Sequence, residues 1–389
     1  MIVTPLLLLM VQFQVQTGLD QLVQRHFQPL YGKNLALLTN CSAIDSRGKH
    51  LLDHLRDQKN VHLKVILAPE HGFEGQLDQE NIPDSIDSET GIRIFSLYGK
   101  SKRPSQEMLR GVDLLLFDIQ DIGVRFYTYQ TSMLYAMQEC SKLGISFMVL
   151  DRPNPIGGLK VLGPSLDRDR HSFTGSFPMP VIHGMTMGEL AKMFNSELNL
   201  HLDLKVVPCV NWKRSMTFEQ TGLPWINPSP NMRNLTQALL YPAIGLLERT
   251  NLSVGRGTDE PFELFGAPWI EPVSFARHLN KLKLKGLSFV PFYFSPESGP
   301  FQGERCGGVH IMLKDAAIMD PIATSYSIFL ALRTTYKREF KPENYISLLA
   351  NREAYGALCS KNHIPEIRRS ETSYLKRFNK KRARYLIYE

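Results

Sequence analysis

The chain reads as an α/β protein: a doubly wound parallel-sheet domain followed by a smaller α/β or α+β C-terminal domain. Three observations carry this. The apolar runs of the first half are short and continuous rather than alternating, which marks strands covered on both faces. Segments with helical spacing separate those runs, and repeated strand–helix units imply a parallel sheet with right-handed crossovers. At 389 residues, the chain has room for two domains of ordinary size.

Taken in order, the strands are NLALLTN (34–40), LKVILAPE (63–70), IRIFSLYG (92–99), VDLLLFDIQD (112–121) and ISFMVLDRPN (145–154). Between them, one helix carries Leu51, Leu52 and Leu55. A second runs from Pro104 to Gly111, and a third carries Met133, Leu134 and Met137 on one face and stops at Gly144. Thr186 opens another helix, because Glu189 three residues on completes a capping box. After a strand at 202–210 comes TGLPWINPSPNMRN (221–234), too rich in Pro, Gly, Asn and Ser for regular structure. The domain boundary is placed just beyond it, giving 17–237 and 238–389. The second domain shows strands in LSFVPFYF and GVHIML and a helix in ATSYSIFLALRTTY. Residues 1–16 read as a degraded leader, since an apolar block is present without preceding basic residues or a small-x-small cleavage site.

A composition of 43% hydrophobic and 21% charged residues excludes disordered and collagen-like classes. The net charge of +7 comes from scattered residues apart from the C-terminal LKRFNKKRARYLIYE. That run reads as a solvated helix face, so no nucleic-acid partner is expected. The five cysteines are widely spaced with no CxxC pair, which predicts neither a zinc site nor a disulfide framework. No stretch reaches transmembrane length.

Ligands of open parallel sheets bind beyond the carboxyl ends of the strands. Every strand of the first half ends in polar residues: Thr39 and Asn40; Glu70 and His71; Ser96 and Tyr98; Asp118, Gln120 and Asp121; Asp151, Arg152 and Asn154. One sheet edge therefore gathers residues far apart in sequence. The aspartates have an alternative as helix caps or loop braces. Glu70 is harder to assign that way, because Glu is a poor turn former and Pro69 stiffens its approach. In DIGVRFYTYQ, Arg125, Tyr127 and Tyr129 suit sugar rings and carboxylates, or else pack a helix start. His183 stands before a helix N-terminus suited to an anion, or is a structural histidine. A second-half loop holding Asn251 and Arg256 between glycines is placed to close over the first domain. No GxGxxG, Walker A, HExxH or GxSxG motif is present, and no cofactor or metal is called.

Eight ordered stretches, PEHGFEG, TGIRIFSLYG, FDIQDIGVRFYTY, LDRPNPIGG, HGMTMGELA, TGLPWINPSPNM, TNLSVGRGT and PFELFGAPW, resemble the exo-β-N-acetylmuramidase family. The likeness runs from about Thr17 to the closing RARYLIYE. It implies a Rossmann-like catalytic domain, a smaller C-terminal domain and a cleft between them. It also implies removal of N-acetylmuramic acid from the non-reducing ends of peptidoglycan fragments, with Glu70 as the catalytic carboxyl. Work on peptidoglycan favours the periplasm or the exterior, with cytoplasmic recycling as the alternative. The chain departs from the family pattern at Arg249, where Gly is usual, and at Arg233, where Pro is usual.

Glycoside hydrolysis needs an acid for the leaving oxygen and a group that meets an oxocarbenium-like transition state. Glu70 is expected as the acid, and Asp118 or Asp121 as the second carboxylate; alternatively the substrate's acetamido group takes that part. Substrate contacts are expected from His71, Arg125, Tyr127, Tyr129, Asp151, Arg152, Asn154, His183, Asn231, Asn251 and Arg256. Arg125, Arg152 or Arg256 would hold the lactyl carboxylate that distinguishes muramic acid. Two rival readings are a hydrolase holding Mg²⁺ on Asp118, Asp121, Asp151 and His71, and a non-catalytic binder of cell-wall sugars.

Overall fold

A computed structural model of the protein describes residues 14–389. The leader-like reading falls mostly on residues outside that range. Of the residues it includes that are described, Val15 and Gln16 donate their backbone N–H groups to Thr221 and Val210 (3.1 and 3.0 Å).

The central sheet has seven strands: β1 (Asn34–Thr39), β2 (His62–Ala68), β3 (Ser85–Ile86), β4 (Arg93–Ser96), β5 (Leu114–Asp118), β6 (Ser146–Leu150) and β7 (Leu204–Val207). Their order is β3-β4-β2-β1-β5-β6-β7, parallel throughout except where the short β3 runs against β4. Every residue of β5 is buried, which explains why its sequence is a continuous apolar run.

Helices α1 (Gly18–Gln24), α2 (Leu51–Arg56), α3 (Tyr129–Leu143) and α4 (Met187–Glu197) cover the sheet. On one face, Leu19, Leu22, Leu51 and Leu55 pack on Leu35, Leu37, Leu114 and Leu116. On the other, Met133, Met137 and Leu190 pack on Ala36, Leu38, Leu115 and Phe117. Alternate residues of β1 and β5 thus feed opposite cores, each large side chain contributing roughly 1.5–3 kcal/mol. Thr186 and Glu189 make the capping box that their spacing predicts (3.3 and 3.1 Å).

The second half holds α5 (Leu235–Ile244), β8 (Leu264–Ala267), α6 (Pro272–Lys281), β9 (Leu287–Phe294), β10 (Cys306–Leu313) and α7 (Pro321–Thr335). Its strands form an antiparallel sheet in the order β8-β10-β9. The helix expected over Pro104–Gly111 is instead a set of turns, with Arg110 N–H on the Glu107 carbonyl and Gly111 left-handed. α5 escaped the sequence reading because it is buried almost all round and contains Pro242, leaving no amphipathic stripe to see.

The basic C-terminal run is more than a solvated face. Arg382 donates to the carbonyls of Gly158 and Gly184 (3.1 and 2.8 Å), and Lys381 and Arg384 pair with Glu197 (2.5 and 2.6 Å). Among the described residues, no helix is long and apolar enough to cross a membrane.

Candidate active site

Where β2 stops, Pro69 leads into Glu70. His71 and Gly72 both take left-handed backbone angles (φ +72° and +77°), and Gly72 N–H closes on the Pro69 carbonyl (3.0 Å). Holding a histidine in that region costs on the order of 1 kcal/mol or more. Its ring Nδ1 is tied to the Leu77 carbonyl (2.8 Å). The corner thus turns sharply right after the glutamate.

A hydroxyl from a neighbouring element holds the Glu70 carboxylate, and a second lies near it. Thr128 occupies the N-cap of α3, where a threonine hydroxyl ordinarily accepts from the first helical N–H groups; here it makes no such cap and donates to Glu70 Oε2. Tyr98 stands just beyond β4, and its phenol pKa is pushed up first by burial and then by the nearby Glu70 carboxylate.

Glu70 lines a cavity to which both halves of the chain contribute residues. The first half of the chain lines it with His71, Tyr127, Thr128, Tyr129, Ser229 and Asn231, and the second with Tyr241, Glu248, Arg249, Arg256 and Phe262. The aromatic rings interlock edge to face, with Tyr127 and Tyr241 at 5.9 Å and Tyr241 and Phe262 at 4.7 Å between centroids. Rigid aromatic walls with polar rims suit sugar rings. The Tyr127 hydroxyl lies beside Ser229 and Tyr129 yet makes no well-aligned hydrogen bond among the described residues. Arg256 pairs with Asp78 (2.5 Å) and with Glu248. Burial works against its charge, but the two carboxylates outweigh that and hold the guanidinium firmly protonated. Asn231 secures the other oxygen of Asp78 (2.8 Å).

Of the residues singled out in the sequence, Glu70, His71, Tyr127, Tyr129, Asn231 and Arg256 meet at this cavity. The Tyr129 hydroxyl is already spent on the Pro228 carbonyl. The others lie elsewhere, each with its own partners. Asp118 is fully buried and ion-paired to Arg152 (2.5 Å), whose guanidinium also reaches the Ile44 carbonyl (2.9 Å). Asp121 accepts from Gly123 N–H (2.6 Å), and burial pushes its pKa up to about 7. Asp151 accepts from Thr186, Gly188 and Tyr388 (2.7, 2.8 and 2.6 Å); burial, only partly offset by these bonds, raises it to about 6.

Arg125, read as a clamp for a carboxylate, has no solvent exposure. It donates to the carbonyls of Pro164, Met179, Leu348 and Leu349 (2.9, 2.9, 3.1 and 2.5 Å), tying the two halves of the chain together. Asn154 braces Met185 (3.0 Å). His183 is buried, and its pKa falls to about 3 by desolvation and the nearby Arg382, so it is a neutral ring rather than an anion site. Asn251 pins the 339–341 segment (2.8 and 2.7 Å). Among the described residues, no three His, Cys, Asp or Glu side chains gather in a metal-binding group.

Sequence reasoning named Tyr98 only as a strand-end residue and Glu248 and Arg249 only as a departure from the family pattern, and it passed over Thr128 altogether. Thr128 sits between two tyrosines already singled out, so the motif itself held that signal. Glu248 and Arg249 immediately precede the glycine-broken loop, and the fold brings them to the same cavity as Glu70.

The comparisons with known proteins agree with one another. The N-terminal model of the exo-β-N-acetylmuramidase NamZ matches residues 35–236, and its C-terminal model matches 239–388. The peptidoglycan β-N-acetylmuramidase NamZ of Bacillus subtilis (strain 168) is 40% identical over 379 residues, 96% of this chain and 92% of that protein. Two crystal structures of DUF1343 family proteins from Bacteroides fragilis NCTC 9343 superimpose with TM-scores of 0.89 and 0.79. Each is 33% identical and covers 97% of this chain, which in turn spans 100% and 99% of theirs. The chain belongs to the exo-β-N-acetylmuramidase NamZ family.

Proposed function

We propose that the protein is an exo-acting glycoside hydrolase that releases N-acetylmuramic acid from the non-reducing ends of peptidoglycan fragments, with Glu70 as general acid in the cleft between its two halves. The observation that carries this reading is a carboxyl that accepts from Thr128 at a sharp corner and lines an aromatic-walled cavity. Family membership supplies the reaction class.

Cleavage then begins as Glu70 transfers its proton to the glycosidic oxygen while the C–O bond breaks and positive charge grows on the sugar ring. Thr128 fixes the carboxyl, so that proton delivery does not wait on side-chain search. Glu248 is the second carboxylate lining the cavity. It takes the part that the sequence reading gave to Asp118 or Asp121, facing the developing cation while Arg256 orients it. Tyr127 and Tyr241 offer apolar faces for the ring, and Asn231 and Ser229 supply polar contacts.

The test compares wild type with Glu70→Gln on a chromogenic muramide and on a disaccharide ending in muramic acid. Loss of sugar release with muramyl-sugar binding retained supports the assignment. A fully active variant removes Glu70 from the chemistry.

A further inference from the structure

Three cationic or potentially cationic side chains line the cavity: His71, Arg249 and Arg256. Two are committed. His71 is tied to a backbone carbonyl, and the Arg256 guanidinium is shared between Asp78 and Glu248. Arg249 differs from both. Its side chain is exposed, and among the described residues no hydrogen bond or ion pair engages it. Its charge nevertheless acts on the Tyr98 hydroxyl, which also feels the Glu70 carboxylate. A cation without a counter-ion among the described residues therefore lines the same cavity as the acid, and its charge reaches Tyr98 beside that acid. The remaining arginines that the sequence suggested are unsuited, because Arg125 is buried on four carbonyls and Arg152 is locked to Asp118.

We infer that Arg249 is a specificity-determining residue that binds a carboxylate of the substrate. The inference rests on the reading that a muramyl sugar occupies the cavity beside Glu70. A guanidinium offers a planar fork that matches a carboxylate bidentately, and an unpaired one gives up no existing ion pair to do so. Two sources of that carboxylate exist in muramyl substrates. One is the free lactyl group of unsubstituted muramic acid. The other is the peptide stem, whose own carboxylates replace the lactyl charge once that group is amidated.

The experiment measures kcat and KM for wild type, Arg249→Ala and Arg249→Lys on three aryl glycosides: the muramide, its peptide-amidated counterpart and the glucosaminide. Loss of one charged hydrogen-bonding contact predicts a fall of roughly tenfold or more in the preference for the carboxylate-bearing substrate over the glucosaminide. That fall is expected mainly through KM, with partial recovery in the lysine variant. A fall confined to the muramide identifies the lactyl carboxylate, and one confined to the peptide-bearing glycoside identifies the stem. An unchanged preference for both overturns the assignment. Arg249→Gly, which restores the residue usual in this family at that position, serves as a second variant should the alanine protein fold poorly. Glu70→Gln run alongside separates the two claims: if it stays active, the reading of the cavity fails, whereas an inactive Glu70→Gln with unchanged Arg249 preference removes the arginine alone.

Discussion

Strands β2 and β5 each deliver a carboxylate to the carboxyl edge of one sheet, yet Glu70 lines an open cavity while Asp118 has no solvent exposure. The difference lies in the partners. Asp118 meets the guanidinium of Arg152, so both its oxygens are consumed by a buried ion pair. Among the described residues Glu70 has no ion pair, and its one hydrogen-bond partner is the neutral Thr128 hydroxyl; in the proposed reading this leaves its carboxyl open to a ligand. Position at the end of a strand delivers a carboxylate to the right edge; what it meets there decides whether it can do chemistry. The chain's reversal between β1 and β5, the usual ligand crevice of such sheets, is here closed by protein: Asn40 donates to Tyr129 and to the Pro228 carbonyl (both 3.1 Å).

The sharpest way to break the contrast is through stability. Asp118→Ala strands Arg152 as a buried unpaired charge and is expected to cost about 3–5 kcal/mol in denaturant unfolding, whereas Glu70→Ala leaves only two hydroxyls beside an open cavity and costs far less. Comparable losses would mean that the two corners are equally structural.

Asp121 gives a pH signature on the buried side. Its pKa is raised from 3.8 to about 7, so the unfolded chain releases this proton at lower pH than the folded one. The group therefore weakens the fold progressively as pH rises from about 4 to about 7, and no further above that. Asp121→Asn keeps the oxygen that accepts from Gly123 and removes the titration. Unfolding curves across that window should show the variant gaining on wild type as pH rises, by a margin on the order of 4 kcal/mol for the full shift. A constant difference would contradict the burial argument.

Smaller effects are expected around Glu70. Thr128→Ala deletes its hydroxyl partner and, at about 1–1.5 kcal/mol for a hydrogen bond, should lower kcat roughly tenfold with the melting temperature little changed. Glu74, four residues along the same corner, is exposed; Glu74→Gln should change kcat less than about twofold, as expected of a solvated surface site. A large Glu74 effect would move the acid along the corner.

Much of the scaffold was legible because parallel strands buried on both faces must be continuously apolar, and β1, β2, β5 and β6 are. The capping box at Thr186 was readable as a local rule between two residues three apart. Glu70 stood out through its neighbours Pro69 and Gly72, again a local signal. Asp118 and Asp151 looked equivalent because what sequesters them comes from afar: Arg152 lies 34 positions beyond Asp118, and Tyr388 lies 237 positions beyond Asp151. Arg125 misled for the same reason, since a guanidinium that satisfies carbonyls from distant loops has no signature in its own segment. Glu248 and Arg249 stood out in the sequence only as a departure from the family pattern beside the expected cleft; that they line one cavity with Glu70 appears once the two halves of the chain are set together.

The most direct test of the central claim uses leaving groups of different acidity. A general acid matters for a sugar leaving group, which must be protonated as it departs, and hardly at all for a dinitrophenolate, which leaves without a proton. Rates for wild type and Glu70→Gln should be compared on a disaccharide ending in muramic acid and on the dinitrophenyl muramide. The account predicts a loss of about 10²–10⁴-fold on the disaccharide and a far smaller loss on the dinitrophenyl glycoside. Equal losses on both substrates would contradict it, assigning Glu70 to binding or to the ring rather than to the leaving oxygen.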